Sequence, residues 1–302
     1  MKRFFRWLGI IIGALAVIAL LLAIGIYFRS EALVNKSYTA PTAMVTVATD
    51  AAALARGEHL ANYVSVCVDC HGANLEGGIV VDDPALGRIV APNLTGGAGG
   101  VGGQRSDADL IRVLRHGILA DGRSAKIMPS DDYQYLSDAD LAAIIAYVRS
   151  APPQDNALPP TVLRPLGRIL LALGQLPILI AERTDAQLEQ PAMVEASVSV
   201  DYGQYLARIA GCVGCHGPGL SGGAIPAAPP DWPQAANLTP GGDVGQWTEA
   251  DFLNTIRSGV NPAGKTLAQE MPWFRYRSMT DEELKAIWLF IQSVPAKEFG
   301  NR

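Results

Sequence analysis

The chain has 302 residues, 49% of them apolar, which is enough for two ordinary domains with a core each. Its formal net charge is −5, but residues 1–30 carry Lys2, Arg3, Arg6 and Arg29 with no acid, so residues 31–302 hold 20 bases against 29 acids. That acidic body argues against nucleic acid as a partner, because a phosphate backbone calls for a basic patch.

The first element is Leu8–Phe28, 21 residues without a charge. As a helix it matches the hydrocarbon thickness of a bilayer. A cleaved secretory signal has a shorter apolar region, about 7–15 residues, and a small-x-small cleavage site, which nothing after Phe28 supplies convincingly. The expectation is a retained anchor: residues 1–30 form a cytoplasmic stub and a transmembrane helix whose residues 8–28 lie in lipid. Lys2, Arg3 and Arg6 hold the N-terminus in the cytoplasm, which puts the rest on the periplasmic side of a single-pass inner-membrane protein.

After a linker at 31–49 come two copies of one module, residues 50–152 and 198–302. RGEHLANYVSVCVDCHG from Arg56 lies over YGQYLARIAGCVGCHG from Tyr202, APNLTGG from Ala91 over AANLTPGG from Ala236, and SDADLIRVLRHG from Ser106 over TEADFLNTIRSG from Thr248. The stretch from Ile127 to Pro152 lies over Glu270 to Pro295. Each copy predicts helices between Gly-rich loops. Capping boxes are expected at Ser106 with Asp109, Ser137 with Asp140, Thr248 with Asp251 and Thr280 with Glu283. Helical apolar spacing follows in Leu141, Ile144, Ile145 and Val148 and in Leu284, Ile287, Trp288 and Ile291. No stretch alternates for long as a strand would, so the fold class is all-α: two tandem domains behind the anchor helix. Residues 153–197 join them, with an apolar run at 169–181 too short to span a bilayer. That run reads either as a short helix over the seam between the domains or as a membrane-surface contact.

The chemistry sits in CVDCH, Cys67 to His71, and CVGCH, Cys212 to His216. Cys at i and i+3 with His at i+4 share one side of a helical turn, so two thiols can form thioethers with one haem while the imidazole ligates its iron. A disulfide framework would scatter its cysteines, and all four here lie in these two motifs. A zinc site needs four ligands, and each motif crowds three onto one turn. A thioredoxin-type pair needs a preceding strand and has no use for the His. The prediction is two covalently bound haems c, held by Cys67 and Cys70 and by Cys212 and Cys215, with His71 and His216 on the irons.

Each half resembles a class-I-type cytochrome c domain, and the whole chain resembles membrane-anchored dihaem cytochromes c. PNLT, HGILADGR and MP are similar to motifs in the cytochrome subunits of bacterial membrane dehydrogenases. The resemblance implies a sixth iron ligand from a Met ahead of the last helix, which here means Met128 and Met271, each followed by Pro. His/Met ligation raises the reduction potential and leaves no open position for oxygen, peroxide or substrate. Met44, Met193 and Met279 read as core filler. Asn93 and Asn237 read either as partners of a haem propionate or as turn residues. Trp247 is expected near the haem edge, where the first copy has Arg105. His116 faces Ser258 and reads as a surface or loop residue or a partner of a haem carboxylate. His59 faces Tyr205 and reads as exposed.

GVNPAGKT, Gly259 to Thr266, satisfies a phosphate-loop pattern, but it follows a helix where that loop needs a strand, and its counterpart GILADGRS lacks the pattern. No nucleotide is expected. The expected function is a membrane-tethered relay of single electrons, not an enzyme, partnered by a membrane-bound redox complex such as a dehydrogenase, a quinol-oxidising complex or a terminal oxidase. The alternative is a fixed cytochrome subunit of a dehydrogenase or oxidase; a dihaem peroxidase is disfavoured by the Met-Pro in both halves. The loops after the two Met differ in charge, Ser130-Asp131-Asp132 against Arg275 and Arg277, and would either steer partners or dock on each other.

Overall fold

The computed structural model describes residues 2–41, 45–226, 228–229 and 231–302, so Met44 lies outside the described residues. Helix α1, Lys2–Val34, is unbroken, its apolar stretch is unburied, and it runs one turn past the expected end of the anchor. In the first domain α2, Ala51–His59, starts on Asp50, whose carboxylate accepts from the Ala52 and Ala53 amides at 3.0 Å. It runs into a π-turn at Leu60–Val64 and is followed by the short α3, Val68–His71.

The π-turn has a cause visible in the repeat. From Arg56 to Cys67 the first copy has one residue more than the second has from Tyr202 to Cys212. The extra residue is wound into the helix as an i→i+5 turn, with Ser65 N–H donating to Leu60 O at 2.8 Å. The chain then turns at Val66 with φ 45°, where the second copy uses Gly211 at φ 74°. A β-branched residue there is strained.

A hairpin follows that the helical reading did not foresee: β1, Gly78–Asp83, antiparallel to β2, Gly87–Ala91. The Asp83 carboxylate accepts from the Ala85 and Leu86 amides at 2.7 Å and closes the turn. Three helices complete the domain: α4, Asp107–His116, α5, Ser130–Tyr133, and α6, Asp138–Ser150. The joining segment adds β3, Val162–Leu163, to the hairpin, and then forms α7, Pro165–Ala172. This helix does not cover the seam between the domains. It packs on the end of α1, and Leu171, Ile178 and Leu179 make a small separate core with Leu33 and Val34.

The second domain repeats the helices as α8, Val200–Ile209, α9, Cys212–His216, α10, Glu249–Ser258, α11, Trp273–Tyr276, and α12, Asp281–Ser293. In both domains the first and last helices cross at a glycine. A Cβ on Gly57 would sit 1.9 Å from Ala143 O, and one on Gly203 1.9 Å from Ala286 O, so only glycine allows the approach. The helix-dominated, two-domain architecture is the one expected, with little sheet added.

The two domains share one continuous core, which runs from Leu60, Val64 and Leu136 into Tyr202, Tyr205 and Leu206. Three capping boxes form as predicted, at Ser106, Thr248 and Thr280. At Ser137 only half of one forms, because the Asp140 carboxylate is drawn across to Arg56 and to the Tyr205 hydroxyl at 2.7 Å. The Ser137 amide donates instead to Tyr205 of the second domain, at 3.2 Å. His59 is likewise not the exposed residue expected: its Nε2 lies 2.8 Å from Glu283 in α12, beside the Arg56–Glu283 pair at 3.1 Å. Met279 is core, as expected, whereas Met193 is 70% exposed and fills nothing.

Candidate functional site

Each Cys-x-x-Cys-His unit forms a single helical turn, α3 or α9, that ends in a left-handed glycine, Gly72 or Gly217. The imidazoles are aimed by their backbone surroundings. His71 Nδ1–H donates to Pro92 O at 2.9 Å and His216 Nδ1–H to Ala236 O at 2.7 Å. A carbonyl can only accept, so the proton is fixed on Nδ1 and Nε2 keeps its lone pair for a metal. Burial pushes both imidazoles below their ordinary value, which favours the neutral, ligating form.

The four cysteines are unpaired with one another. Burial pushes the Cys67 and Cys212 thiols up to about 12, and raises Cys70 and Cys215 as well. Neutral thiols side by side with a free imidazole suit thioether attachment of a haem; they do not suit a thiolate zinc site or a reactive redox pair. Among the described residues no cluster of three His, Cys, Asp or Glu is arranged to hold a bare metal ion.

Met128 and Met271 are half-buried against the shared core, each at the head of a Met-Pro turn that leads into α5 or α11. What fastens each Met loop to its Cys turn is a tyrosine that spacing did not single out. Tyr133 donates its hydroxyl to Ser65 O at 2.6 Å, and Tyr276 to Ala210 O at 2.5 Å. Ser65 and Ala210 each stand two residues before the first Cys of their motif. The signal was present in the repeat, since Tyr133 and Tyr276 occupy equivalent positions five residues past the Met. In both domains the loop that carries the Met is thus pinned to the segment that leads into the Cys-His turn.

The remaining candidates are less direct. Asn93 and Asn237 are buried, and their side chains clasp loops: Asn93 Nδ2 donates to Gln154 O at 2.7 Å and Asn237 Nδ2 to Lys297 O at 2.8 Å, while each Oδ1 accepts from the Thr two residues on. This geometry favours the turn reading. Trp247 is half-buried at the edge of the core, and its counterpart Arg105 is exposed. His116 is not at the surface: it is buried at the end of α4 with Nδ1 unpartnered, and its carbonyl accepts from Thr184. Gly259 to Thr266 forms a tight turn closed by a Val260–Thr266 bridge, with no strand ahead of it, so the phosphate-loop pattern carries no site.

The seam between the domains runs through these sites. α5 of the first domain lies on α8 and α9, and α11 of the second lies on the π-turn and α3. Arg275 in α11 pairs with Asp69, inside the CVDCH turn, at 2.7 Å. By the repeat, the counterpart of Arg275 is Asp132, and the counterpart of Asp69 is Gly214. A Cβ built on Gly214 would lie 3.4 Å from Asp132 Oδ2, and one on Gly211 3.3 Å from it. The two sides of the seam therefore differ: one is an ion pair, and the other sets a carboxylate against a neutral glycine turn, with the helix charge inverted and the turn charge deleted between the copies. The acidic and basic loops are therefore seam elements. Burial, then the neighbouring Asp131, pushes the Asp132 carboxyl from 3.8 up to about 7, against the opposing pull of Arg183.

Residues 54–152 match the family described as "Cytochrome c", and residues 199–291 match "Cytochrome C oxidase, cbb3-type, subunit III". Among curated proteins, the chain is 35% identical over 97 residues to a gluconate 2-dehydrogenase cytochrome c subunit of Pantoea cypripedii, covering 30% of this chain and 22% of that one. It is 29% identical over 136 residues to a fructose dehydrogenase cytochrome subunit of Gluconobacter japonicus, covering 42% and 28%. Across 281 residues, 86% of this chain, it is 26% identical to a nicotinate dehydrogenase subunit of Pseudomonas putida, 22% of which is covered. The chain thus spans less than a third of the length of each of these relatives.

Proposed function

From a chain in which each half is a cytochrome c domain, we propose a membrane-tethered dihaem cytochrome c that relays single electrons along the outer face of the membrane. Cys67 and Cys70 would hold one haem by thioethers and Cys212 and Cys215 the other, with His71 and Met128, and His216 and Met271, as the residues that would ligate the irons. Haem held by these residues would supply a one-electron iron couple. The chain's residues do the rest. Pro92 O and Ala236 O orient the imidazoles, and Tyr133 and Tyr276 hold the Met loops closed. The shared core keeps the two sites at one fixed separation.

The observation that carries this reading is the reciprocal seam, in which the Met-side helix of each domain rests on the Cys-His turn of the other. Two carriers that acted independently would need no such contact. Arg56, Asp140, Glu283 and Tyr205 tie the domains together with buried or half-buried polar groups, and mutual sliding would leave these unpaired. Substitution tests the ligand assignment: in Met128→Ala and Met271→Ala the weak long-wavelength band of iron–thioether ligation should fall stepwise, each variant removing one share. A Met128→Ala protein with an unchanged band would rule out that ligand.

The comparisons favour one version of the partner. Relatives of the chain carry the names of cytochrome subunits of gluconate and fructose dehydrogenases, which supports a dehydrogenase as electron donor and the chain as its fixed subunit. Purification in mild detergent tests this, because a fixed subunit brings a flavin- or quinone-bearing protein with it in constant ratio. A tethered shuttle elutes without one.

A further inference from the structure

The face of α7 turned away from the protein is apolar, whereas a helix on a water-exposed surface turns its polar side outward. Gly167, Leu171 and Ala172 are its buried residues, and Gly167 approaches so closely that a Cβ there would lie 2.0 Å from Leu86 O. On the opposite face Leu166, Leu170 and Leu173 stand at helical spacing; Leu166 is 42% and Leu173 62% exposed. Val162, just upstream in β3, is 47% exposed.

The position of this face along α1 decides what covers it. Arg29 donates from Nε to Ala172 O at 2.7 Å. Arg168 bonds Ser30 Oγ at 3.1 Å and Glu31 at 2.8 Å, and its guanidinium lies 5.1 Å from the centre of the Tyr27 ring. Leu173 and Ala172 then form, with Leu21, Leu22, Ile26 and Arg29, an open groove of about 470 Å³. At a rise of ~1.5 Å per residue, Leu21 lies roughly 10 Å inside Phe28 along the helix axis. If Leu8–Phe28 fills the hydrocarbon layer, the groove and Leu173 sit below its outer boundary. Tyr27, Phe28, Arg29 and Arg168 then form a belt of aromatic and cationic side chains at headgroup level.

We propose that α7 is an interfacial membrane helix: its Leu166–Leu170–Leu173 face and the groove beside α1 take the acyl chains of outer-leaflet phospholipids, and Arg29 and Arg168 lie at their phosphates. The proposal rests on the reading of Leu8–Phe28 as a transmembrane anchor and goes further. The first domain is laid against the bilayer, because the segments on either side of it are bonded to it and to each other: Tyr38 N–H donates to Gly122 O at 2.9 Å, Asn156 Nδ2 donates to Glu76 O at 2.9 Å, and Lys36 of one segment pairs with Glu182 of the other at 2.7 Å. The Cys67–His71 site becomes the membrane-side site and the Cys212–His216 site the outward one.

The test is photo-crosslinking of the full-length, haem-loaded chain in vesicles of phosphatidylethanolamine and phosphatidylglycerol. A benzophenone amino acid replaces Leu173, Leu15 in the anchor, or Val200, which is 41% exposed on the second domain. After irradiation, intact-mass spectrometry should find a phospholipid adduct at positions 173 and 15 and none at 200. An adduct at 15 with none at 173, or a crosslink from 173 to another protein, overturns the proposal while leaving the anchor standing. No adduct at 15 removes the anchor and the proposal together. Lipid adducts at 200 equal to those at 173 would mean that the whole surface contacts lipid and that α7 has no special place.

Discussion

Asp132 gives the seam a measurable signature in pH. Its carboxylate rests against the Gly211–Gly214 turn, and its protonation midpoint is displaced from 3.8 to about 7. A carboxyl raised in the folded state is a group whose charged form the fold disfavours. Below pH 3.8 the group is protonated in both folded and unfolded chains and costs nothing. As pH rises from there the unfolded chain gains by ionising while the folded chain resists, and the full penalty is present above about pH 7. A displacement of roughly 3 pH units at ~1.4 kcal/mol each sets a ceiling of about 4 kcal/mol. Asp132→Asn keeps the shape and removes the charge. Denaturant midpoints of wild type and variant, measured in detergent and followed by the haem absorbance, should coincide near pH 4, part steadily up to pH 7, and then run parallel with the variant more stable. A gap that stays constant across this range, or a wild type that gains on the variant as pH rises, would show that Asp132 is not a desolvated seam carboxylate.

Two further substitutions probe the scaffold. Gly203→Ala places a methyl 1.9 Å from a backbone oxygen of α12, so the first and last helices of the second domain cannot close, and a pyridine haemochrome assay should find about one haem per chain retained in place of two; full retention would refute the crossing. Val66→Gly puts in the first copy what the second already has at Gly211, and release of the left-handed strain should raise the unfolding midpoint by an amount equivalent to ~1 kcal/mol, net of the added freedom of the unfolded chain; a lower midpoint would mean that the π-turn holds Val66 without strain.

The parts legible in the sequence were those whose geometry is local. Cys67, Cys70 and His71 fall on one side of a turn wherever that turn is placed, whereas Met128 and Met271 were singled out by the resemblance to cytochromes c, with their matching places in the repeat in support. Tyr133 and Tyr276 were equally visible in the repeat, but nothing local to them shows that a phenol will reach back to the residue two before a Cys. The seam was hidden for a different reason. His59, Asp140 and Glu283 look like an exposed helix residue and two capping acids until α2 of one copy meets α12 of the other, and one sequence does not say which faces meet. The hairpin at Gly78–Ala91 was missed because its alternation is short and bulged between Ile79 and Val81, and it is completed by residues some 70 positions away. The apolar run at 169–181 gave two readings, and the contact of α7 with α1 removed the first of them.

The central claim is that each domain holds its own covalently attached haem. The direct measurement is the intact mass of the denatured chain, made in cells that mature c-type cytochromes, for wild type, Cys67→Ala with Cys70→Ala, and Cys212→Ala with Cys215→Ala. The account predicts the polypeptide plus two haems for wild type and plus one haem for each double variant. A wild-type mass with one haem or none, or a double variant that keeps both, would contradict it.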